Sequence, residues 1–555
     1  LQCAPVTTYS ADSTAINRLN SNSIYGKDSD MDHPAASSPH IDGQQRMILL
    51  IASMVSSLVM LDSNVVAVAL PTIAASLGAS FADIQWVVTA YVLPFAALLL
   101  AAGAFGDLYG RRRAALLGLG LFALASLLCG LAGSPLMLNL ARAAQGAGAS
   151  LLLTAALAVI NHSFHGAARA KAYAFWGACL GIAITTGPII GGIIASTVGW
   201  HWAFLINLPI CAALMVATVK AVPESSDPDA TRLDWAGVLT FSSGLFLVTW
   251  AVIDGNTLGW SAAAVLWRAG CGLVLLAGFY AVEKLQSRPM MDFEIVKSAR
   301  FIGSSCAMVG YAAGAQVMIF YLPLYLQNTY GFGAFTGGLA MLPFAVPMFF
   351  APRFGARLAA RWRARDLLSL GLAITTVSNV AMALLAPRHA PYFVFGLAMA
   401  SAGAGAGLLN GETAKALQGA VPPQRAGMAS GLSATVRFSA LLFGVAGLGA
   451  IMVAASTRDF ARHAPRFSLG LDSAAALAKR YSAGDVGGAL LQLPDGVRAA
   501  AGAALHDAFD LGFNAAAWTS AAVALLALLA VRAILPGGAA STQEGDAGLV
   551  VVPGE

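Results

Sequence analysis

A chain of 555 residues that is 58% hydrophobic and only 11% charged does not have the makeup of a soluble globular protein, which carries roughly 25% charged residues. The missing charge means that most of its surface faces something other than water. The net charge of +5 is small for this length and is spread over short segments, so it leaves no nucleic-acid-binding footprint.

Leu1 to Arg46 is polar, rich in Ser, Asn and Asp, and lacks the apolar core of a signal peptide. It is expected to be disordered, with Met31 as the true start. Apolar segments then follow at about 47–70, 84–105, 114–133, 136–160, 171–198 and 202–222. A polar linker, Pro223 to Asp234, precedes two more segments near 235–253 and 264–284, and a charged linker runs from Glu283 to Arg300. A second group lies near 301–327, 334–354, 366–386, 391–419, 426–456 and 512–535, and a disordered tail is expected over 537–555. A bilayer-spanning helix needs about 20 apolar residues. The reading is therefore an all-α polytopic membrane protein of about fourteen helices. The expected domains are a six-helix bundle over 47–222, two additional helices within 223–300, and a second six-helix bundle over 301–536.

Lys and Arg in short loops set the orientation. Arg111, Arg112 and Arg113 lie between the second and third helices, and Arg169 and Lys171 between the fourth and fifth. Arg353, Arg357, Arg361, Arg363 and Arg365 lie between the tenth and eleventh. These loops are expected in the cytoplasm and the loop 457–511 outside, where a short helix but no chemistry is read. The 6 cysteines, Cys3, Cys129, Cys179, Cys211, Cys271 and Cys306, form no CxxC pair and mostly sit in apolar runs. They read as small buried hydrophobes. No metal-ligand spacing is found, and His162 and His165 read as solvated loop residues.

Polar residues inside apolar runs carry the functional reading. Asp62 is the sharpest, because a carboxylate at the centre of a bilayer helix costs about 2.5–3.5 kcal/mol on insertion scales. It is expected to face a cavity and carry a proton, although a helix-packing role would place an acid there too. Arg142 cannot lose its proton. It is expected to bind Gln145 or backbone carbonyls, or to act on Asp62. Gln145 and Arg437 read as candidate cavity residues, Arg437 alternatively as a side chain paired for packing, and Glu412 with Lys415 as a structural pair on one helix face. In GAFGDLYGRRR (103–113), Gly103 and Gly110 would let the backbone turn and approach a neighbouring helix. Asp107 would pair with Arg111 or Arg112, or with the N-terminus of a facing helix. Contacts formed in only one arrangement would act as a latch. The fifth segment carries Gly181, Gly187, Pro188, Gly191 and Gly192, small residues that permit close helix contact around a kinking proline.

These stretches together resemble the major facilitator superfamily, in particular its fourteen-helix drug:proton antiporters. GAFGDLYGRRR is similar to the superfamily's loop signature. LDSNVVAVALP (61–71), DIQWVVTAYVL (83–93), LNLARAAQGAGAS (138–150), GACLGIAITTGPIIGG (177–192) and WHWAFLINLP (200–209) resemble that family's first, second, fourth and fifth helices and the run that follows. The resemblance spans roughly Met47 to Pro536 and implies two six-helix bundles about a central cavity, two inserted helices, and alternating access by rocking. The second half carries only a worn echo of the loop, GARLAARWRAR (355–365), with Ala359 at the acid position. The latch is therefore expected on one side. Leu108 also stands where the family often has a basic residue.

The function implied is proton-coupled export of small amphipathic compounds across the cytoplasmic membrane, with protons, a small-molecule substrate and the bilayer as partners and no cofactor. A dedicated exporter of one metabolite stays open, as does a periplasmic adaptor. A polytopic membrane enzyme is the further alternative; it would need clustered His, Asp or Glu at one membrane face, and the sequence shows no such cluster.

Overall fold

The computed structural model describes residues 42–164, 166–226, 234–285, 293–359, 361–421, 426–493 and 495–536. The expected start at Met31, the expected disorder over 1–41 and 537–555, Cys3 and His165 lie outside them, whereas Gly43 to Arg46, also expected to be disordered, form the first turn of a helix. Among the described residues there are helices and no strands, and 14 helices are long and apolar enough to cross a membrane. They are α1 (Gly43–Leu77), α2 (Phe81–Tyr109), α3 (Arg111–Gly130), α4 (Pro135–Ser163) and α5 (Gly166–Thr197), followed by α6 (Trp202–Ala221). Then come α7 (Trp235–Leu258) and α8 (Ala263–Leu285), and α9 (Ala299–Tyr330) and α10 (Ala334–Ala359). The last four are α11 (Ala364–Leu385), α12 (Tyr392–Gln418), α13 (Ala426–His463) and α14 (Asp495–Ile534).

Local chemistry starts and stops these helices. Asp42 with Gln45, and Ser80 with Asp83, form reciprocal capping boxes at the starts of α1 and α2. Ser134 caps α4 ahead of Pro135 in its first turn. Gly78 ends α1 in the left-handed conformation. Pro71 sits inside α1 without ending it, so α1 runs past the expected end near 70; spanning helices tolerate proline where neighbours satisfy the freed backbone.

In the first bundle α4 packs on α2 and α3, and α1 on α5; in the second, α12 packs on α10 and α11, and α14 on α11 and α13. Glycine sets the spacing in both. A Cβ built on Gly146 of α4 would stand 2.1 Å from Tyr91 O of α2, and one on Gly403 of α12 would stand 2.0 Å from Phe344 O of α10. The fourth helix of each bundle thus meets the backbone of the second. The bundles join by α1 against α9, α2 against α13, and α5 against α10. The second helix of each bundle meets the fifth of the other, which is the pairing of a pseudo-twofold arrangement. The inserted helices α7 and α8 pack on each other, and only 17% of the apolar window of α8 is buried, so α8 is peripheral and lipid-facing.

Two expectations are corrected. GAFGDLYGRRR is not a loop: Gly103 to Tyr109 finish α2, Arg111 to Arg113 begin α3, and Gly110 alone separates them. The loop expected over 457–511 is mostly helical: α13 continues to His463, helices at Leu471–Ser482 and Val486–Leu491 follow, and α14 begins at Asp495. Polarity marks where a helix leaves the apolar slab, not where it stops. The helix over Leu471–Ser482 packs against α13, α14 and α2. Asn328 Nδ2 of α9 donates to Tyr481 O at 3.0 Å, and a Cβ on Gly484 would lie 2.8 Å from Pro71 of α1. The segment therefore lies against both bundles.

Candidate functional site

Helices α1, α3 and α6 each bring one polar side chain, and α4 brings two, into the centre of the first bundle. Asp62 and Arg142 are each 1% exposed, Gln145 0% and Asn207 2%. Buried charge must be paired and hydrogen-bonded, and here it is. Arg142 Nη1 lies 2.6 Å from Asp62 Oδ2 and donates to Gln145 Oε1 at 2.6 Å. Asp62 Oδ1 accepts from Gln145 Nε2 at 2.9 Å and from Asn207 Nδ2 at 2.8 Å. Ser126 Oγ of α3 accepts from Gln145 at 2.9 Å and from Asn207 at 3.3 Å. Arg142 Nε donates to Val87 O at 3.1 Å, and its guanidinium lies 4.1 Å from the Tyr91 ring centroid. The alternatives read for Arg142 are not exclusive in the structure: it contacts Gln145, a backbone carbonyl and Asp62 together. Asn207, Ser126 and Tyr91 complete the cluster and were not singled out in the sequence; Asn207 lies in the run WHWAFLINLP, where one Asn among apolar residues gives little signal.

A second feature lies between the bundles. Met60, Ser63, Asn64, Tyr91, Phe95 and Ile184 from the first bundle face Gln316, Ile319, Phe320, Met348, Phe438 and Leu441 from the second around a cavity of about 30 Å³. That holds a water or two and falls far short of the ~300–1,000 Å³ of a ligand pocket, so in this arrangement the cavity has no room for a drug-sized molecule. Two expectations change here. Asp62 and Gln145 do not line this cavity. The helix turns Asp62 inward, where three donors satisfy it, and presents its neighbours Ser63 and Asn64 to the cavity. Arg437 reaches the cavity indirectly: its Nε donates to Gln316 Oε1 at 3.0 Å and its Nη2 to Tyr311 Oη at 3.2 Å. Gln316 belongs to a π-helical turn, Ala312–Gln316, inside α9. Such turns re-aim side chains.

The fifth-helix glycines form two seams. A Cβ on Gly187 would lie 2.5 Å from Asn64 Cβ, and one on Gly191 2.6 Å from Val65 O, both on α1. A Cβ on Gly192 would lie 2.6 Å from Ala334 O, and one on Gly338 2.5 Å from Pro188 O, so this part of α5 also meets α10 of the other bundle. Gly181 is looser, with Phe349 at 3.5 Å. At the α2–α3 junction, Arg111 Nη2 lies 2.9 Å from Asp107 Oδ1, so Asp107 pairs within the motif as expected. Gly110 has φ 109°, and a Cβ there would lie 2.5 Å from Glu224 Oε1. Glu224, which follows α6, accepts from Arg112 N at 3.0 Å, a partner the sequence did not point to. Among the described residues, none lies within 4 Å of a Cβ added at Gly103. Lys415 Nζ lies 2.7 Å from Glu412 Oε1, as expected. His162 is exposed, and Cys129, Cys179, Cys211, Cys271 and Cys306 are free.

One cluster overturns an expectation outright. The sequence shows no grouping of His and acidic residues at one face. The fold brings together His389, after α11, with His506, Asp507 and Asp510 of α14.

Two pseudo-symmetric six-helix bundles about a central cavity, with fourteen spanning helices, define a multi-pass membrane transporter. The chain belongs to the Major Facilitator Superfamily, whose sequence model matches residues 52–445. It is 33% identical over 417 residues to the multidrug resistance protein Stp of Mycobacterium tuberculosis, covering 74% of this chain and 76% of that one. It is 32% identical to the methylenomycin A resistance protein of Streptomyces coelicolor, covering 72% and 84%. It is 34% identical to the cephamycin export protein CmcT of Amycolatopsis lactamdurans, covering 72% and 83%. Among solved structures, a bacterial homolog of the human lysosomal transporter Spinster superposes with a TM-score of 0.57 at 17% identity, over 89% of this chain and 98% of that one. That likeness supports the fold.

Proposed function

We propose that this protein is a proton-coupled antiporter that exports small amphipathic or drug-like compounds across the cytoplasmic membrane by alternating access. The descriptions of the relatives as proteins of multidrug and methylenomycin A resistance and of cephamycin export support the substrate class, and the positive charge of the Arg111–Arg113 end supports a cytoplasmic position for it. The observation that carries the coupling is the position of Tyr91. Its ring lies 4.1 Å from the Arg142 guanidinium on one side and lines the interbundle cavity on the other. Protonating Asp62 would release Arg142 from its only carboxylate in the cluster, and the freed cation would shift against the wall that substrate touches. One proton moved through 100 mV supplies about 2.3 kcal/mol, enough for a roughly fortyfold gradient of a neutral compound.

The test is proton movement in energised inverted vesicles on adding a panel of lipophilic cations, for wild type and Asp62→Asn. Substrate-dependent proton release from the lumen that disappears in the variant is the expected result. Release that survives the substitution would remove Asp62 as carrier. A narrower reading, an exporter dedicated to one metabolite, draws support from relatives described as an actinorhodin transporter and a cephamycin exporter. Competition among unrelated compounds in the same vesicles separates the two.

A further inference from the structure

The cluster at the end of the second bundle opposite Arg111–Arg113 has the makings of a metal site. Asp510 is 1% exposed, and its Oδ2 is buried without a hydrogen-bond donor, a costly state for a carboxylate oxygen. That oxygen points at two imidazoles: His389 Nδ1 at 3.2 Å and His506 Nε2 at 3.7 Å. One potential ligand atom from each of His389, His506 and Asp510 lies within 4.8 Å of the other two. A tetrahedral site with ligand bonds of about 2.0–2.1 Å has edges of roughly 3.3 Å, and the separations from Asp510 Oδ2 of 3.2 and 3.7 Å lie on either side of that.

The outer partners fit as well. A metal-bound imidazole almost always gives its other nitrogen to a polar partner, which fixes the tautomer. His389 Nε2 lies 3.3 Å from Asp507 Oδ1, His506 Nδ1 lies 3.3 Å from Tyr481 Oη, and Asp510 Oδ1 accepts from Thr329 Oγ1 at 2.5 Å. Each candidate ligand thus has its inner atom turned to a common point and its outer atom held. His389 also takes φ 46°, a left-handed conformation uncommon outside glycine and of the kind that functional sites retain.

We propose that His389, His506 and Asp510 bind a divalent transition-metal cation of the zinc class, with solvent in the remaining position. The ion would fasten the α11–α12 turn to α14, beside the helix over Leu471–Ser482 that supplies Tyr481.

The experiment is calorimetric titration of the purified full chain, free of any affinity tag, with ZnCl2, and zinc-edge X-ray absorption on the loaded protein. One chelator-reversible zinc per chain is expected, with nitrogen and oxygen ligands at about 2.0–2.1 Å. His506→Ala and Asp510→Asn should abolish that site. His389→Asn should do so too while keeping a residue that tolerates the left-handed backbone. Asp507→Asn should weaken binding by about tenfold or more. His463→Ala serves as the unaffected control. Absence of saturable zinc binding, unchanged binding in His389→Asn and His506→Ala, or sulfur ligation in the absorption spectrum would each overturn the proposal. The cluster would then be carboxylate–imidazole pairing alone.

Discussion

Asp62 and Arg142 offer a sharp asymmetry to test. Both are 1% exposed, but their alternatives differ. With Asp62→Ala, Arg142 keeps Gln145 Oε1, Val87 O and the Tyr91 ring, none of which carries a negative charge, and a guanidinium cannot discharge itself by losing a proton. Leaving a buried charge without its partner destabilises by about 3–5 kcal/mol. With Arg142→Met, Asp62 Oδ1 still accepts from Gln145 and Asn207, and a carboxylate has the option of taking up a proton. The expected loss is then about 1–3 kcal/mol, that of an unsatisfied buried group. The double variant Asp62→Ala/Arg142→Met removes the charges together and should be more stable than Asp62→Ala alone. Contacting residues commonly show couplings of about 0.5–3 kcal/mol in such cycles. The assay is thermal unfolding of the four proteins in one detergent at one scan rate, since unfolding of large proteins is read as a rate. Equal damage from the two single substitutions would refute the asymmetry, and a double variant as unstable as the sum would refute the claim that the pair is mutually dependent.

Gly192→Val should abolish efflux while the protein reaches the membrane in normal amount, because its Cβ would meet Ala334 O at 2.6 Å and hold α5 away from α10. Gly181→Ala, facing Phe349 at 3.5 Å, should transport like wild type in the same vesicle assay. Gly110→Ala should destabilise the protein by more than about 1 kcal/mol, since both φ 109° and the Glu224 carboxylate oppose a side chain. Glu224→Ala combined with it should recover part of the loss in thermal unfolding.

The count of spanning helices was legible because each one needs its own run of about 20 apolar residues, and composition cannot hide such runs. The pairing of Asp62 with Arg142 was legible in outline, since two charges buried in one small bundle must meet. Their neighbours were not. Asn207 is separated from Asp62 by 145 residues, and only the packing of α6 beside α1 and α3 brings it there. Glu224 was invisible for the same reason: a lone acid after a helix reads as solvated until the fold sets it against Gly110. His506 and Asp510 are four apart on one face of α14, a spacing present in the sequence. The stretch was read as loop, and a loop has no faces. The error in the helix boundary thus concealed the cluster.

Helix α1 connects the buried pair to the seams. Asp62 points into the first bundle, Ser63 and Asn64 line the cavity, and Asn64 and Val65 back onto Gly187 and Gly191. Val68 O, a turn further on, accepts from Gln327 Nε2 of the second bundle at 3.2 Å. Successive residues of that helix therefore touch the charge pair, the cavity, the seam with α5 and helix α9 of the second bundle. The glycine contacts leave α1 little room to slide along α5, because packed interfaces switch between discrete arrangements rather than deforming. Contacts between the bundles run from Phe95 against Phe438, with centroids 4.4 Å apart, to Gln85 Nε2 donating to Val445 O at 3.1 Å and on to Gly192 against Ala334. Toward the end that carries Arg111–Arg113, Cβ atoms added at Gly103 and Gly177 would meet nothing described within 4 Å. The bundles are thus closed from their middle to the opposite end. On the proposed mechanism, a change at Asp62 does not need to reach across the protein to release that closure; it needs only to move the helix of which Asp62 is part.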